Sequence, residues 1–323
     1  MTVYSCEWIR CLQEREQSVD ELIPAVTGLA GRSLYALHPR AIAWELKHAS
    51  GPVHPIITPL GWDGTLKVRI YSGDVVGKCV YQHRVFEPAE ARLVNNFLKP
   101  GMVFFDLGAN FGQYTLLAAE RLGPTGRVHS FEPSARMHGE LSFNVALNHM
   151  QDRCTLNRVA MSDKEGTARL SRYDAGAEVY GSLGTQHWVK DRVIGYEEVT
   201  TTTLDAYITD HDIDRVDLIK MDIEGAEFSV LRGGTRLLAE ADAPAIVLEM
   251  VDFNAKGFGH TALDVWDYLE SFGYRLFSFE NRKFAIVKAD RPRDFKMGQN
   301  LLAVKHSFDL WGVSGSSGEG GHG

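Results

Sequence analysis

The order of apolar and polar positions divides the chain into two unlike parts. From about Phe97, short apolar runs alternate with amphipathic stretches almost to the C-terminus. "MVFFDLG" reads as a strand and Gln113 to Leu122 as a helix. "RVHSFEP" reads as the next strand, and Met137, Leu141 and Val145 behind it recur at i, i+4 and i+8, the spacing of one helix face. "VDLIKMDIEG" and "AIVLEMVD" are apolar runs too short for helices. Strands that continuous belong in the middle of a parallel sheet covered on both faces. A helix over Ala262 to Phe272 follows, with Leu263, Trp266 and Leu269 inward, and "YRLFSFE", "FAIVKA" and "NLLAVKH" end the pattern as strands. The alternation predicts an α/β fold, a doubly wound sheet with an antiparallel C-terminal edge.

The first part does not share this rhythm. Residues 56–72, "IITPLGWDGTLKVRIYS", place two alternating apolar runs around "GWDG", a hairpin signal. Ahead of them the first 55 residues read as helical: Ser18 and Glu21 form a capping box opening onto Leu22, Ile23 and Val26, and Ala43 to His48 follows a proline. The expected organisation is a helical N-terminal extension with a hairpin over 1–72, serving as a lobe or lid, then a main domain over 73–308. A tail over 309–323 carries "SGSSGEGGHG", which has no apolar side chain to bury and is expected to be disordered.

Composition narrows the chemistry. With 44% hydrophobic and 24% charged residues the chain can bury a core. Its formal net charge of -8, without a dense Lys/Arg run, argues against a partner held by nucleic-acid phosphates. Cys6, Cys11, Cys79 and Cys154 form no CxxC pair and no Cys/His ligand spacing, so neither a disulfide framework nor a zinc knuckle is indicated. Cysteine usage of this kind fits the reducing cytoplasm, the expected location. The N-terminus lacks the charged-then-apolar pattern of a signal peptide, and no apolar run approaches the roughly 20 residues of a membrane span.

The candidate chemistry lies in "FFDLGANFGQYT". In an open α/β sheet, ligands bind beyond the carboxyl ends of the strands, where a glycine-bearing loop lets a nucleotide-like group approach the backbone. A dinucleotide site needs GxGxxG, but Asn110 stands where the middle glycine makes room for a pyrophosphate. A phosphate-binding P-loop is excluded, because no Gly-Lys-Ser/Thr follows. Asp106, a carboxylate at the strand end, repels phosphates and suits an ammonium or sulfonium centre. Glu132, in "FEP" at the end of the next strand, can accept both hydroxyls of a ribose, the role given to an acid roughly 20 positions beyond such a loop. An adenosine joined to a zwitterionic amino acid, S-adenosylmethionine, satisfies both carboxylates.

"FDLGANFGQYT", "SFEPS", "RVAMSD", "LIKMDIEGAEFSVLRGG" and "IVLEM", in that order, closely resemble the FkbM family of S-adenosylmethionine-dependent methyltransferases, over Val80 to His306. "KMDIEGAE" is the most specific part. The resemblance implies a Rossmann-like class I methyltransferase sheet. It implies that Asp106, Gly108, Ala109, Asn110 and Gly112 embrace the methionine end of the cofactor. Glu132, with Pro133 and Ser134, would take the ribose, and Ala160 and Met161 would flank the adenine. These enzymes often carry a tyrosine-glutamate and a second glutamate before the first strand; here those are Phe86-Glu87 and Glu90, with Phe86 a departure. The resemblance fades over the first 70 or so residues and over Tyr173 to Glu198, the natural places for substrate specificity.

In "LIKMDIEG", strand alternation puts Leu218, Lys220 and Asp222 on one face and Ile219 and Met221 on the other. A buried lysine beside an aspartate must be paired, so either the two satisfy each other or both reach the crevice, the reading we favour. Lys220, Asp222 and Glu249 are the catalytic candidates. Asp222, Glu249, His83 or His187 could receive a proton from a hydroxyl acceptor. Glu224 and Glu227 open the next helix, and Glu227 reads as structural. Asp222, Glu224 and Glu249 give no support for a metal. Tyr180 and Trp188 could line an acceptor pocket. The leading reading is an O-methyltransferase acting on a hydroxyl of a sugar or secondary metabolite, a natural-product type of small-molecule acceptor. The alternatives are N- or carboxyl-methylation with the same cofactor, an NAD-binding oxidoreductase, or a cofactor-binding protein without catalysis.

Overall fold

The computed structural model describes residues 53–173, 193–280, 285–295 and 298–306, together with Trp44 and Leu183. The expected N-terminal capping box, the 43–48 helix apart from Trp44, His187, Tyr180, Trp188 and the C-terminal tail lie outside the described residues.

In chain order the elements are β1 (Pro55–Leu60), β2 (Leu66–Tyr71), α1 (Val75–His83), α2 (Pro88–Phe97), β3 (Val103–Leu107), α3 (Gln113–Leu122), β4 (Arg127–Phe131) and α4 (Ala135–Leu147). Then come β5 (Cys154–Asn157), β6 (Ala160–Met161), β7 (Gly166–Tyr173), β8 (Val193–Thr202), α5 (Leu204–Asp210), β9 (Leu218–Met221), α6 (Glu227–Arg232) and α7 (Thr235–Ala239). The C-terminal part supplies β10 (Ala245–Met250), α8 (Asp252–Lys256), α9 (Ala262–Ser271), β11 (Tyr274–Glu280), β12 (Ala285–Lys288) and β13 (Gln299–Lys305).

The sequence between "LGWDG" and "LKVRIY" closes as expected. β1 and β2 pair antiparallel from Pro55↔Tyr71 to Leu60↔Leu66. Gly61 and Gly64 take positive φ in the turn, and the Asp63 carboxylate accepts from the Thr65 N–H and hydroxyl. Leu66, Val68 and Ile70 point inward, as the alternation predicts, into the cluster that holds Leu117, Leu141 and Val145. The free edge of β2 is met by side chains of α4: Asn144 accepts from the Arg69 N–H (2.7 Å) and Asn148 from the Lys67 N–H (2.9 Å). Two asparagines one helical turn apart thus substitute for a neighbouring strand.

The main sheet has the order β12-β11-β13-β10-β9-β3-β4-β5. Five central strands run parallel, and β13, β11 and β12 pair antiparallel at one end. The doubly wound reading with an antiparallel C-terminal edge therefore holds. The chain winds outward from β3 through β4 to β5, then returns to β9 beside β3, so the strand order reverses at β3. The crevice for a ligand opens at such a reversal, beyond the carboxyl ends.

Alternation along the strands feeds two cores. Phe104, Leu218, Val247 and Leu302 pack on one face beneath α2 and α3 residues such as Val94 and Leu116, while Phe105, Leu107, Ile219, Met221 and Leu248 pack on the other. α9 turns Trp266 and Leu269 inward as expected, together with Ala262 and Val265, and the expected Leu263 packs half-buried against the same core. Its capping box, Thr261 with Asp264, fixes the first turn and hence the face that turns inward. A separate three-stranded sheet, β6-β8-β7, flanks the crevice. Among the described residues no helix is long and apolar enough to cross a membrane.

Candidate active site

The loop between β3 and α3 is shaped by its neighbours. Gly108 has φ 78°, and a Cβ there would lie 2.0 Å from the Asp222 carbonyl oxygen at the end of β9. Gly112 has φ 99°, and its Cβ would meet Leu141 Cδ1 at 2.7 Å. Both glycines are thus demanded by strand-to-strand and loop-to-helix approach. Asn110 is left-handed at φ 52° without being glycine, held by its own Oδ1 accepting from the Phe111 N–H at 2.8 Å.

This geometry aims the loop backbone at Glu132. The Asn110 N–H donates to Glu132 Oε2 and the Ser134 N–H to Oε1, both at 2.9 Å. Only 7% of Glu132 is exposed. Burial raises its pKa to about 7 despite the two backbone donors. Ser134 also caps α4, accepting from the Met137 N–H. A pocket is lined here by Gly108, Asn110, Glu132, Pro133, Ser134, Met137, Ala160, Met161, Asp222 and Glu224 among others. It combines an apolar slot, walled by Val159, Ala160 and Met161, with an acid at one side, an arrangement suited to a base and its ribose. Most of the predicted cofactor residues therefore meet in one pocket.

Asp106 is placed differently. It is fully buried beneath the loop and is not part of the pocket wall. Thr115 donates its hydroxyl proton to Asp106 Oδ2 (2.6 Å) and lies 2.7 Å from the Ser130 hydroxyl. Asp106 Oδ1 is buried without a hydrogen-bond partner among the described residues. Burial raises the Asp106 pKa, against the pull of Lys220.

Lys220, 5% exposed, neighbours Asp106 across the β3–β9 pair and donates to Asp222 Oδ2 at 2.9 Å. Of the two sequence alternatives the structure gives the mutually satisfied pair, with Asp222 on the pocket wall and Lys220 buried behind it rather than in the crevice. Lys220 Nζ also lies 4.5 Å from the Tyr114 ring centroid. Burial works to lower its pKa, but Asp222, Asp106 and Glu87 together hold it above the ordinary value.

Beyond Asp222 stands a group of acids drawn from distant parts of the chain. Glu87, at the left-handed entry to α2 (φ 50°), accepts from the Tyr114 hydroxyl at 3.1 Å and from Asn300 Nδ2 at 2.9 Å. Burial, then Glu90 and Asp222, raise its pKa to about 7. Glu224, left-handed at φ 55°, accepts from Asn254 Nδ2 at 2.9 Å, and burial with Asp222 raises its pKa to about 8. Glu249 sits opposite Asn300 in the β10–β13 pair; burial, then Asp222, Glu224 and Glu87, hold its pKa well above the carboxylate range. Asn110 and Glu224, both on the pocket wall, each hold a left-handed backbone, the kind of strain that collects at functional sites. Glu227 accepts from the Gly225 and Ile223 N–H groups, the structural role expected of it. His83 is exposed at the end of α1 and does not line the pocket. Among the described residues no group of three or more His, Cys, Asp or Glu could hold a metal ion. Tyr114, Asn254 and Asn300 were not legible as site residues: each is recognisable only from the fold.

Three kinds of similarity accompany this geometry. The model of the methyltransferase FkbM domain matches residues 106–276, more than half of the chain. Two curated relatives match: 2-O-methyltransferase NoeI of Sinorhizobium fredii, 28% identical over 159 residues, and 31-O-demethyl-FK506 methyltransferase FkbM of Streptomyces tacrolimicus, 31% identical over 174 residues. Each alignment takes in 46% of this chain and 64% of the relative, so the chain spans less than two thirds of their length. Among solved structures, a methyltransferase FkbM from Methylobacillus flagellatus is similar at 16% identity and a TM-score of 0.41, covering 64% of this chain and 44% of that one. With the matched span running from Asp106 through the glycine loop, Glu132 and the Lys220–Asp222 pair to β11, the chain belongs to the FkbM methyltransferase family.

Proposed function

We propose that the chain is an S-adenosylmethionine-dependent O-methyltransferase acting on a hydroxyl of a sugar or secondary metabolite. The observation that carries the reading is the Glu132 carboxylate, fixed by the Asn110 and Ser134 N–H groups beside the slot formed by Ala160 and Met161. Two N–H donors leave further lone pairs on Glu132 for the paired hydroxyls of a ribose. The loop offers no room for a pyrophosphate, since Asn110 occupies the middle position and Asp106 adds negative charge beneath it. Support for oxygen as the acceptor atom comes from the relatives, one named as a 2-O-methyltransferase and the other as acting on 31-O-demethyl-FK506.

The cofactor would supply an electrophilic methyl group on a sulfonium. Alignment of donor and acceptor can contribute about 7–11 kcal/mol, whereas a general base adds about 10²–10⁴ in rate. Residues that position therefore outweigh the base. Among the acids, burial and the neighbouring carboxylates push the Glu249 pKa well above the carboxylate range. Asp222, ion-paired with Lys220 and facing the pocket, is the better proton acceptor for a hydroxyl nucleophile.

The test is direct. Thermal unfolding with S-adenosylmethionine and, separately, with NAD should show stabilisation by the former; stabilisation by NAD alone would sink the reading. Mass spectrometry of extracts incubated with the protein and methyl-labelled cofactor should then reveal a species carrying one added methyl. Label recovered as a base-labile methyl ester would replace the hydroxyl with a carboxylate acceptor.

A further inference from the structure

Asp106 is buried more completely than its bonding warrants. Oδ2 accepts from the Thr115 hydroxyl at 2.6 Å, while Oδ1, equally inaccessible, has no hydrogen-bond partner among the described residues. A buried acceptor in that condition costs free energy, and a catalytic use is one of the few things that justify it. The cation beside it is Lys220. The two residues are partners across the β3–β9 pair and so share one face of the sheet. A lysine ammonium has three protons to donate. Here one goes to Asp222 Oδ2 at 2.9 Å, and the Tyr114 ring lies 4.5 Å away. The attraction to Asp106 is mutual: Asp106 helps to hold the Lys220 pKa above its ordinary value, and Lys220 pulls the Asp106 pKa down against burial. Lys220 thus stands between two carboxylates, bonded to the one on the pocket wall and within electrostatic reach of the one beneath the loop.

Methyl transfer gives this arrangement a consequence. As the acceptor oxygen bonds to the methyl carbon, the electron pair of the breaking carbon–sulfur bond neutralises the sulfonium, and the hydroxyl proton passes to an Asp222 oxygen. Asp222 is then uncharged, and Lys220 would be stranded as a buried cation beside a neutral acid, a strongly unfavourable state. We infer that Asp106 is a positioning residue that provides a second station for Lys220: when Asp222 takes the acceptor's proton, the ammonium passes from Asp222 Oδ2 to Asp106 Oδ1. The inference rests on Asp222 being the proton acceptor of the proposed methyl transfer. The flexible four-carbon stem of lysine makes the passage a side-chain rotation. Asp106 therefore acts on the reaction through Lys220, without touching donor or acceptor.

Asp222→Asn fixes the neutral state of residue 222 and needs no acceptor. In the crystal structure of this variant the Lys220 ammonium should lie within hydrogen-bond distance of Asp106 Oδ1, whereas in that of the unaltered protein it should stay on Asp222. An ammonium still bonded to residue 222, or turned to Glu87, the other acid whose charge reaches it, overturns the inference. Urea unfolding supplies the energetic readout. Asp106→Asn and Asp222→Asn should each be tolerated, because one station remains. Together they should lower the folding equilibrium constant roughly tenfold or more beyond the two single effects combined. Adding Lys220→Met should restore that extra loss, since the stranded cation is then gone; a residue that merely fills space beneath the loop gives no such rescue. Should the double variant fail to fold, a folded triple variant supports the inference and an unfolded one overturns it. Independent single effects, or a triple variant no more stable than the double, overturn it as well. These measurements use neither cofactor nor acceptor, so failure of the unaltered protein to bind S-adenosylmethionine would instead overturn the proposed function.

Discussion

Glu132, the buried acid of the pocket, is testable through stability. In the folded protein its pKa is raised from 4.5 to about 7 by burial, while the unfolded chain presents an ordinary glutamate. Between those two values the folded state keeps a proton that the unfolded state has released, so stability falls as pH rises through this window. The difference between 4.5 and about 7 corresponds to about 3 kcal/mol of stability lost as pH rises from about 4.5 through about 7. Glu132→Gln removes the titration. It also sets an amide nitrogen against one of the two backbone N–H donors, at a pH-independent cost of about 1–3 kcal/mol. Urea unfolding at pH 5, 6, 7 and 8 should therefore show the variant well below the unaltered protein at pH 5 and nearly level with it at pH 8. Saturating S-adenosylmethionine should flatten the slope of the unaltered protein, since ribose hydroxyls donating to Glu132 hold it ionised. A stability difference between the two proteins that does not change with pH would refute the reasoning.

Three further outcomes follow from the same geometry. Gly108→Ala should destabilise by about 3 kcal/mol or more, since a left-handed residue costs about 1–2 kcal/mol and the new methyl collides with a backbone carbonyl; Gly112→Ala, which meets only a leucine tip, should cost less, and the reverse order in urea unfolding would contradict the close-approach argument. Lys220→Met should cost about 3 kcal/mol at pH 8, the lower end for a broken buried pair because the Asp222 side chain is 34% exposed. The loss should shrink at pH 5, where the surrounding acids protonate; a pH-independent loss would show that charge is not the cause. Asp222→Asn should lower kcat about 10²–10⁴-fold if Asp222 receives the acceptor's proton, and single-turnover rates matching the unaltered protein would remove it from that role.

The fold was legible where apolar periodicity is strong. β3, α3, β4, β9 and β10 fall where their runs of Val, Leu, Ile and Phe place them, because strands covered on both faces leave little choice of register. α9 was legible in Trp266 and Leu269, both buried, and in Leu263, half-buried against the same core, with Ala262 and Val265 completing the inward face. The pocket was legible in Glu132, Asn110 and Asp222, since each is a polar residue at the end of an apolar strand. Asp106 carried the same signal yet lies beneath the loop, because Thr115 on α3 supplies the partner that draws it inward. Asn300 and Tyr114 carried no signal. Their significance depends on β13 returning beside β10 and on α3 crossing near α2, and neither contact is local in sequence.

One face of the sheet explains why these polar residues gather. Phe104, Leu218, Val247 and Leu302 share that face in four adjacent strands, all buried in one core. Two positions nearer the carboxyl ends of β3 and β9, Asp106 and Lys220 stand side by side on that face in the same rung as Val247 and Leu302, and one rung further Glu249 faces Asn300 of the antiparallel β13. Apolar and charged positions thus meet within a single rung, and polar groups take over toward the carboxyl ends. Four strands continued in leucine and valine would have been more stable, since buried charge contributes little to folding. The polar positions instead gather at the sheet's reversal point, where Lys220 is ion-paired with Asp222 and neighbours Asp106 across the strand pair. Because burial raises the pKa of Glu87 and of Glu132, these buried acids cost the fold stability as pH rises through their raised values.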